Sequence, residues 1–150
     1  MKFPGWLPVY GDTTYRGPCP KEAAEQVTFF NQLRKHYPAT LGRIALHPRN
    51  EGQLVGGQHS SIDKQKAEGM AVGASDIVIP GSPSFVCELK RRDHAKSAWQ
   101  DGQLDYLEAA QAEGAFVCVA LGWEAAWQAL QDWQKKTQKP FDPTPPLAYS

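Results

Sequence analysis

The residues best able to do chemistry in this chain lie between Glu68 and Gln103. Asp76 opens a short β-branched run, Asp76-Ile77-Val78-Ile79, and Glu88-Leu89-Lys90 closes a second apolar run. Gln103 follows on what the periodicity predicts as the next helix. Two acids and a lysine at the ends of adjacent strands suit hydrolysis of a phosphodiester. That reaction needs a water made nucleophilic at neutral pH and a counter-charge for the phosphate, both of which a divalent cation held by carboxylates supplies. Mg²⁺ or Mn²⁺ in such a site takes a few carboxylates and fills its remaining positions with water and phosphate oxygens. Asp76 and Glu88 can converge on one ion, and the Leu89 carbonyl offers a third ligand. Lys90 can orient the water or stabilise charge in the transition state. Gln103 can hydrogen-bond the water or a phosphate. Each residue also has a plainer reading: Asp76 as a turn acid, Glu88 and Lys90 as a solvated ion pair worth little, Gln103 as a satisfied polar group in the core.

The elements that must position these groups follow from hydrophobic spacing. Residues 1–21, rich in Gly, Pro, Tyr and Trp, show no period and read as an extended arm packed on the body. A helix is expected from about Lys21 to His36, ended by Tyr37-Pro38 because the residue before proline is pushed out of the α region. Its apolar face is Ala23, Phe29, Phe30, Leu33 and Tyr37, with Glu22 and Gln26 on the same face and Glu25 to the side. A carboxylate in the first turn is favoured by the helix dipole, but one on the buried face costs free energy unless it is paired or binds a metal. Gly42–His47 reads as a short strand and 48–53 as a polar loop, with a short helix over 61–69.

Pro80-Gly81-Ser82-Pro83 is a turn, so 76–79 and 84–91 should pair antiparallel. Alternation sends Phe85, Cys87 and Leu89 to one face and Val86, Glu88 and Lys90 to the other, placing Glu88 and Lys90 about 7 Å apart along the strand. Arg91, Arg92, His94 and Lys96 form a basic loop. Ser97–Glu113 is expected to be a helix, with Ser97 as N-cap, Gly114 as its stop, and Gln103 in the middle of a stripe of Trp99, Tyr106, Leu107 and Ala110. Ala115–Leu121 is a strand covered on both faces. Trp123–Lys136 is an amphipathic helix on Trp123, Trp127, Leu130 and Trp133. The sum is an α/β domain over 22–138, with a mixed sheet flanked by helices, preceded by the arm and followed by a Pro-rich tail, 139–150.

Composition narrows the class. At 150 residues the chain can bury a core without metal or disulfide support. Sixteen basic residues balance sixteen acidic ones, which argues against a protein that coats nucleic acid in bulk but allows a nuclease with local basic groups. Three cysteines with no C-x-x-C pair indicate neither a disulfide framework nor a zinc site. The start lacks the apolar core of a signal peptide and no run approaches a membrane span, so a cytosolic protein is expected. None of the four histidines has ligand spacing.

The ordered set of motifs resembles the VRR-NUC family of the PD-(D/E)xK nuclease superfamily. The resemblance covers Glu22 to about Leu130. It rests on Glu22-x-x-x-Gln26 followed by Leu33 and Tyr37-Pro38, then His47-Pro48-Arg49-Asn50-Glu51-Gly52. Gly69-x-x-x-Gly73-x-Ser75-Asp76 and Glu88-Leu89-Lys90 follow, and then Gln103 with Leu107 and Gly114. A bare E-x-K is weak; the ordered series is specific. Ser75 stands where the family usually has proline, and Gln100 where a capping Ser or Thr is common, which would shift the cap to Ser97.

The resemblance implies a restriction-endonuclease-like core of helix, three strands, helix and strand, extended here by a C-terminal helix. It implies a Mg²⁺- or Mn²⁺-dependent DNA nuclease with Asp76, Glu88, Lys90, Gln103 and Glu22 as its active-site set, and Asp76, Glu88, Leu89 and Glu22 about the metal. Arg91, Arg92, Lys96 and Asn50 are candidate DNA contacts, against a solvated basic loop and a simple turn as the plainer readings. Stand-alone members occur in bacteria and phage, look similar to Holliday-junction resolvases and often pair as homodimers. The expected partners are therefore duplex or branched DNA and a second copy, in the cytoplasm of a bacterial cell or phage-infected host. A nuclease or nickase without junction preference, and a silent DNA-binding module of the same fold, remain alternatives.

Overall fold

The structure, a computed structural model, describes residues 1–49 and 59–137. Asn50, Glu51 and the Pro-rich tail 139–150 lie outside the described residues. The elements are β1 (Val9–Tyr10), α1 (Glu22–His36), α2 (Leu41–Ile44), α3 (His59–Ala67), β2 (Ile77–Ile79), β3 (Phe85–Lys90), a 3₁₀ turn (His94–Lys96), α4 (Gln103–Ala112), β4 (Phe116–Leu121) and α5 (Trp123–Lys136). The sheet order is β1-β4-β3-β2. The hairpin pairs β2 and β3 antiparallel with Ile77 opposite Cys87, while β3 and β4 run parallel with Glu88 opposite Val119. Among the described residues no helix is long and apolar enough to cross a membrane.

Strand alternation divides the core as the sequence implies. Phe85, Cys87 and Leu89 join Ile77, Ile79, Cys118 and Ala120 on the face packed by α1 and α5, through Phe29, Phe30, Leu33, Ala126, Ala129, Leu130 and Trp133. The opposite face, carrying Val86, Val117 and Val119, is covered by Leu107 of α4 and Leu7 of the arm. Glu88 and Lys90 share the strand face of Val86, so they point toward α4.

Four expectations are corrected. The strand over Gly42–His47 is instead the single turn α2 followed by one bridge, in which Leu46 and Val78 exchange both backbone bonds, at 2.9 and 3.0 Å. The N–H groups of Thr40 and Gly42 both return to the Tyr37 carbonyl, so the chain coils over the end of α1 before it can extend. The arm does more than pack its aromatics, because Val9 and Tyr10 pair parallel with Val119 and Ala120 as a fourth strand. On α1, Glu25 is buried at 2% exposure while Ala23 is exposed and Glu22 half-buried. Glu25 accepts the Trp123 N–H at 2.7 Å, capping α5, and that contact outweighs the small apolar gain of turning Ala23 inward.

The fourth correction bears on the site. Ser97 does not cap a helix, and α4 begins six residues later at Gln103, which is its first residue and not a mid-face one. Trp99 therefore precedes the helix. The break is set by Gly102 in the left-handed region (φ +84°) against Gly73 (φ +74°). A Cβ on Gly73 would overlap the Gly102 carbonyl and the Gln103 nitrogen. This backbone contact fixes the start of α4 against Gly73, three residues before Asp76.

Gly73→Ala is accordingly expected to cost about 2–4 kcal/mol of unfolding free energy, from steric overlap added to the positive φ. Gly69→Ala, also at positive φ but with open space around it, should cost about 1–2 kcal/mol. Urea melts of the two variants check the difference.

Candidate active site

The end of β3 brings a carboxylate and an ammonium out of water together. Glu88 and Lys90 are each 1% exposed, and burying such groups is costly unless every polar atom finds a partner. Gln103 supplies most of the pairing. Its Nε2 donates to Glu88 Oε1 at 2.8 Å, and its Oε1 accepts from Lys90 Nζ at 3.0 Å and from the Gln100 N–H at 2.8 Å. Lys90 Nζ also donates to the Ala98 carbonyl at 2.9 Å and lies 3.7 Å from Glu88 Oε1. The amide thus reads both charges at once, and its position at the first residue of α4 makes this geometry depend on where that helix begins.

One oxygen is left out. Glu88 Oε2 is buried without a hydrogen-bond partner. Burial pushes the Glu88 carboxyl well above the usual carboxylate range, and the Asp76 charge pushes it further. The Asp76 carboxyl, placed where it could share a proton with Glu88, and the Glu22 charge add to this, while Lys90 opposes it. Two carboxylates so close need a proton or a cation between them. Asp76 is held by the hairpin: its Oδ2 accepts the Leu89 N–H at 2.9 Å, and its carbonyl accepts from His47 Nδ1 at 2.8 Å. The N–H and C=O of one strand residue leave by the same edge, so the Leu89 carbonyl is on the side of Asp76. Glu22 stands at the N-terminal turn of α1, its Oε1 accepting from Ser97 Oγ at 2.7 Å.

Asp76, Glu88, Lys90, Gln103 and Glu22 are therefore gathered at one end of the sheet. Among the described residues no group of three His, Cys, Asp or Glu side chains could hold a metal ion. The donor set is instead two carboxylates and a backbone carbonyl, which suits a hard cation that keeps several waters. The orphaned Glu88 oxygen fits that role.

The basic loop is placed differently from a free phosphate clamp. Arg91 donates to the carbonyls of Pro20 and Cys19, Lys96 to that of Gly17, and Arg92 pairs with Glu124 at 2.7 Å. These cations hold the arm and α5. Sequence reasoning missed Ser97 as the link between Glu22 and the Arg91 N–H, Ala98 as a carbonyl acceptor, and His47 as a brace on Asp76. A backbone acceptor leaves no signal in residue type; Ser97 was visible but read as a cap. A cleft of about 750 Å³ lined by Tyr37, Leu41 and Trp133 lies away from these acids.

The raised Glu88 value gives a signed expectation. The folded state binds a proton that the unfolded chain releases near its ordinary value of 4.5. The stabilisation is full below that value and is lost as pH rises through the folded one. Thermal melts in chelator from about pH 5 to about pH 9 should show wild-type stability falling with pH, and a flatter, higher curve for Glu88→Gln.

No family model matches the sequence and no curated protein matches it significantly. A search of solved structures finds a VRR_NUC domain protein with a TM-score of 0.61 and 20% sequence identity, covering 81% of this chain and 92% of that one. The chain has the α/β, restriction-endonuclease-like fold of a VRR_NUC domain protein.

Proposed function

We propose that this chain is a VRR-NUC-type nuclease, a metal-dependent DNA endonuclease whose centre is Asp76, Glu88 and Lys90. The observation that supports this most is the unpartnered Glu88 Oε2 beside Asp76, next to a network in which Glu88 Oε1, Gln103 and Lys90 are bonded to one another. A cation, a proton or a bound water would satisfy that oxygen, and leaving it bare would cost stability. The fold shared with a VRR_NUC domain protein supports the same reading.

In this reading Asp76, Glu88 and the Leu89 carbonyl hold Mg²⁺ or Mn²⁺, with Glu22 adding negative charge from α1. The bound cation would lower the pKa of a water and offset phosphate charge. The chain's own groups do the rest. Leu89 N–H fixes the Asp76 carboxylate. Gln103 holds Glu88 Oε1, which leaves Oε2 for the metal. Lys90 has two of its three N–H groups bonded to Ala98 and Gln103, and the third is free to turn from Glu88 to the attacking water or a phosphate oxygen. Because these donors are in place before substrate arrives, little reorganisation is needed in the transition state. The sharper form of the proposal is a homodimer that places two such centres on a four-way junction, as two-fold symmetry allows. Arg91, Arg92, Lys96 and Asn50 are its candidate DNA contacts.

Labelled four-way junction, flap, nicked and linear duplexes are the test, with and without Mg²⁺ or Mn²⁺. Cleavage should require the metal and fall by roughly 10²–10³-fold in Lys90→Ala and Asp76→Asn. Absence of metal-dependent cleavage on every substrate sinks the enzyme reading. Equal cutting of junction and plain duplex, or a monomer in sedimentation, sinks only the sharper form.

A further inference from the structure

The ammonium of Lys90 is enclosed by three consecutive residues of the segment between β3 and α4. Ala98 gives its carbonyl to Nζ at 2.9 Å. Gln100 gives its N–H to Gln103 Oε1, the atom that also accepts from Nζ. Between them, the ring of Trp99 lies under Nζ, 5.3 Å from centroid to nitrogen. The segment can do this because it is not helical. In a helix begun at Ser97, the Ala98 carbonyl would be committed to the backbone ladder.

We propose that Trp99 is a positioning residue for Lys90, setting the direction of its ammonium through the face of the indole. The face of an aromatic ring is its negative side, and it attracts a cation most strongly where water is excluded. Lys90 is 1% exposed, so that condition is met. The indole is itself held: its Nε1 donates to the Lys2 carbonyl at 2.8 Å, and the Phe3 ring meets it edge-on at an interplanar angle of 85°. A side chain that only filled the core would need neither the polar anchor nor the face-on approach to a charge. With the ring against Nζ and two N–H groups bonded to Ala98 and Gln103, the third N–H is left for Glu88 Oε1, 3.7 Å away, and the space beside it. The catalytic consequence rests on the nuclease reading; the placement of the ammonium does not.

The test therefore has two arms, on Trp99→Phe, Trp99→Leu and Trp99→Met in the full chain. In metal-free, ¹⁵N-lysine-labelled protein, the buried Lys90 ammonium should give a slowly exchanging signal, identified by its loss in Lys90→Arg. Ring current should displace it upfield in wild type and in Trp99→Phe, and the displacement should vanish in Trp99→Leu and Trp99→Met. In metal-dependent cleavage, kcat should fall roughly tenfold in the Leu and Met variants with KM within about twofold, and Phe should restore it to within about threefold, as expected for losing and regaining one cation–π contact. A Lys90 signal unmoved by loss of the ring overturns the proposal. So does a Phe variant as impaired as Leu, which would mean that the ring only packs. Two aliphatic replacements are used so that a misfolded one, seen in its melt, leaves the other to decide. Absence of any cleavage by wild type sinks the nuclease reading and leaves the ammonium signal to decide this one.

Discussion

A carboxyl and an ammonium group removed from water at the end of one strand are the constraint around which this structure is arranged. Glu88 and Lys90 sit two residues apart on β3, both on the face toward α4 and both inaccessible to solvent. Their mutual attraction at 3.7 Å is not enough to offset desolvation. Additional partners must be brought to fixed places, and the surrounding chain does this. Gln103 bridges the two groups, α4 starts late so that Gln103 is its first residue, and the Gly73–Gly102 contact fixes that start. The same contact ties the approach to Asp76 to the helix that carries Gln103, so acid and amide are placed by one piece of backbone packing.

How much of this the amino-acid sequence made legible depends on the kind of signal. Period-2 alternation in 84–91 and the turn at 80–83 were enough for the antiparallel hairpin and the sides on which Glu88 and Lys90 fall. The continuous apolar run at 115–121 was enough for a doubly covered strand, and the spacing of Trp127, Leu130 and Trp133 for α5. What failed were boundaries decided by contacts distant in sequence. Trp99, Gln103, Tyr106 and Leu107 fit a helical stripe, but the extended segment before Gly102 satisfies Lys90 with the Ala98 carbonyl, which a helix would withhold. Gly42–His47 has strand-like composition, yet hydrogen bonds to Tyr37 coil it. Glu25 and Ala23 exchange roles because a helix N-terminus from elsewhere needs an acceptor. The candidate site residues were legible as types in order, and the bonds among them were not.

The basic loop is also bonded within the chain. Arg91 and Lys96 look like phosphate ligands by composition, yet both donate to carbonyls of the arm, and Asp93 answers from the same loop by accepting the Gly17 N–H at 3.0 Å. That bond, with those from Ala95 and the charges of Arg16 and Lys96 against the cost of burial, holds the Asp93 carboxyl below its usual value. The arm is thus fastened, carbonyl by carbonyl, to the segment that follows the candidate lysine. Its attachment and the surroundings of Lys90 are one piece of structure.

The short first strand has a consequence for how the molecule is made. Val9 pairs with Val119, so the sheet joins two strands far apart in the chain, the first of which leaves the ribosome long before its partner. Pairings this distant in sequence carry a large loop-closure cost and form late. Until β4 emerges, Val9 and Tyr10 have no strand to pair with, and the arm has only its bonds to the 91–99 segment to hold it. The nascent chain can form its hairpin and first helix early, but the setting of Lys90 is assembled only when the two ends of the domain meet.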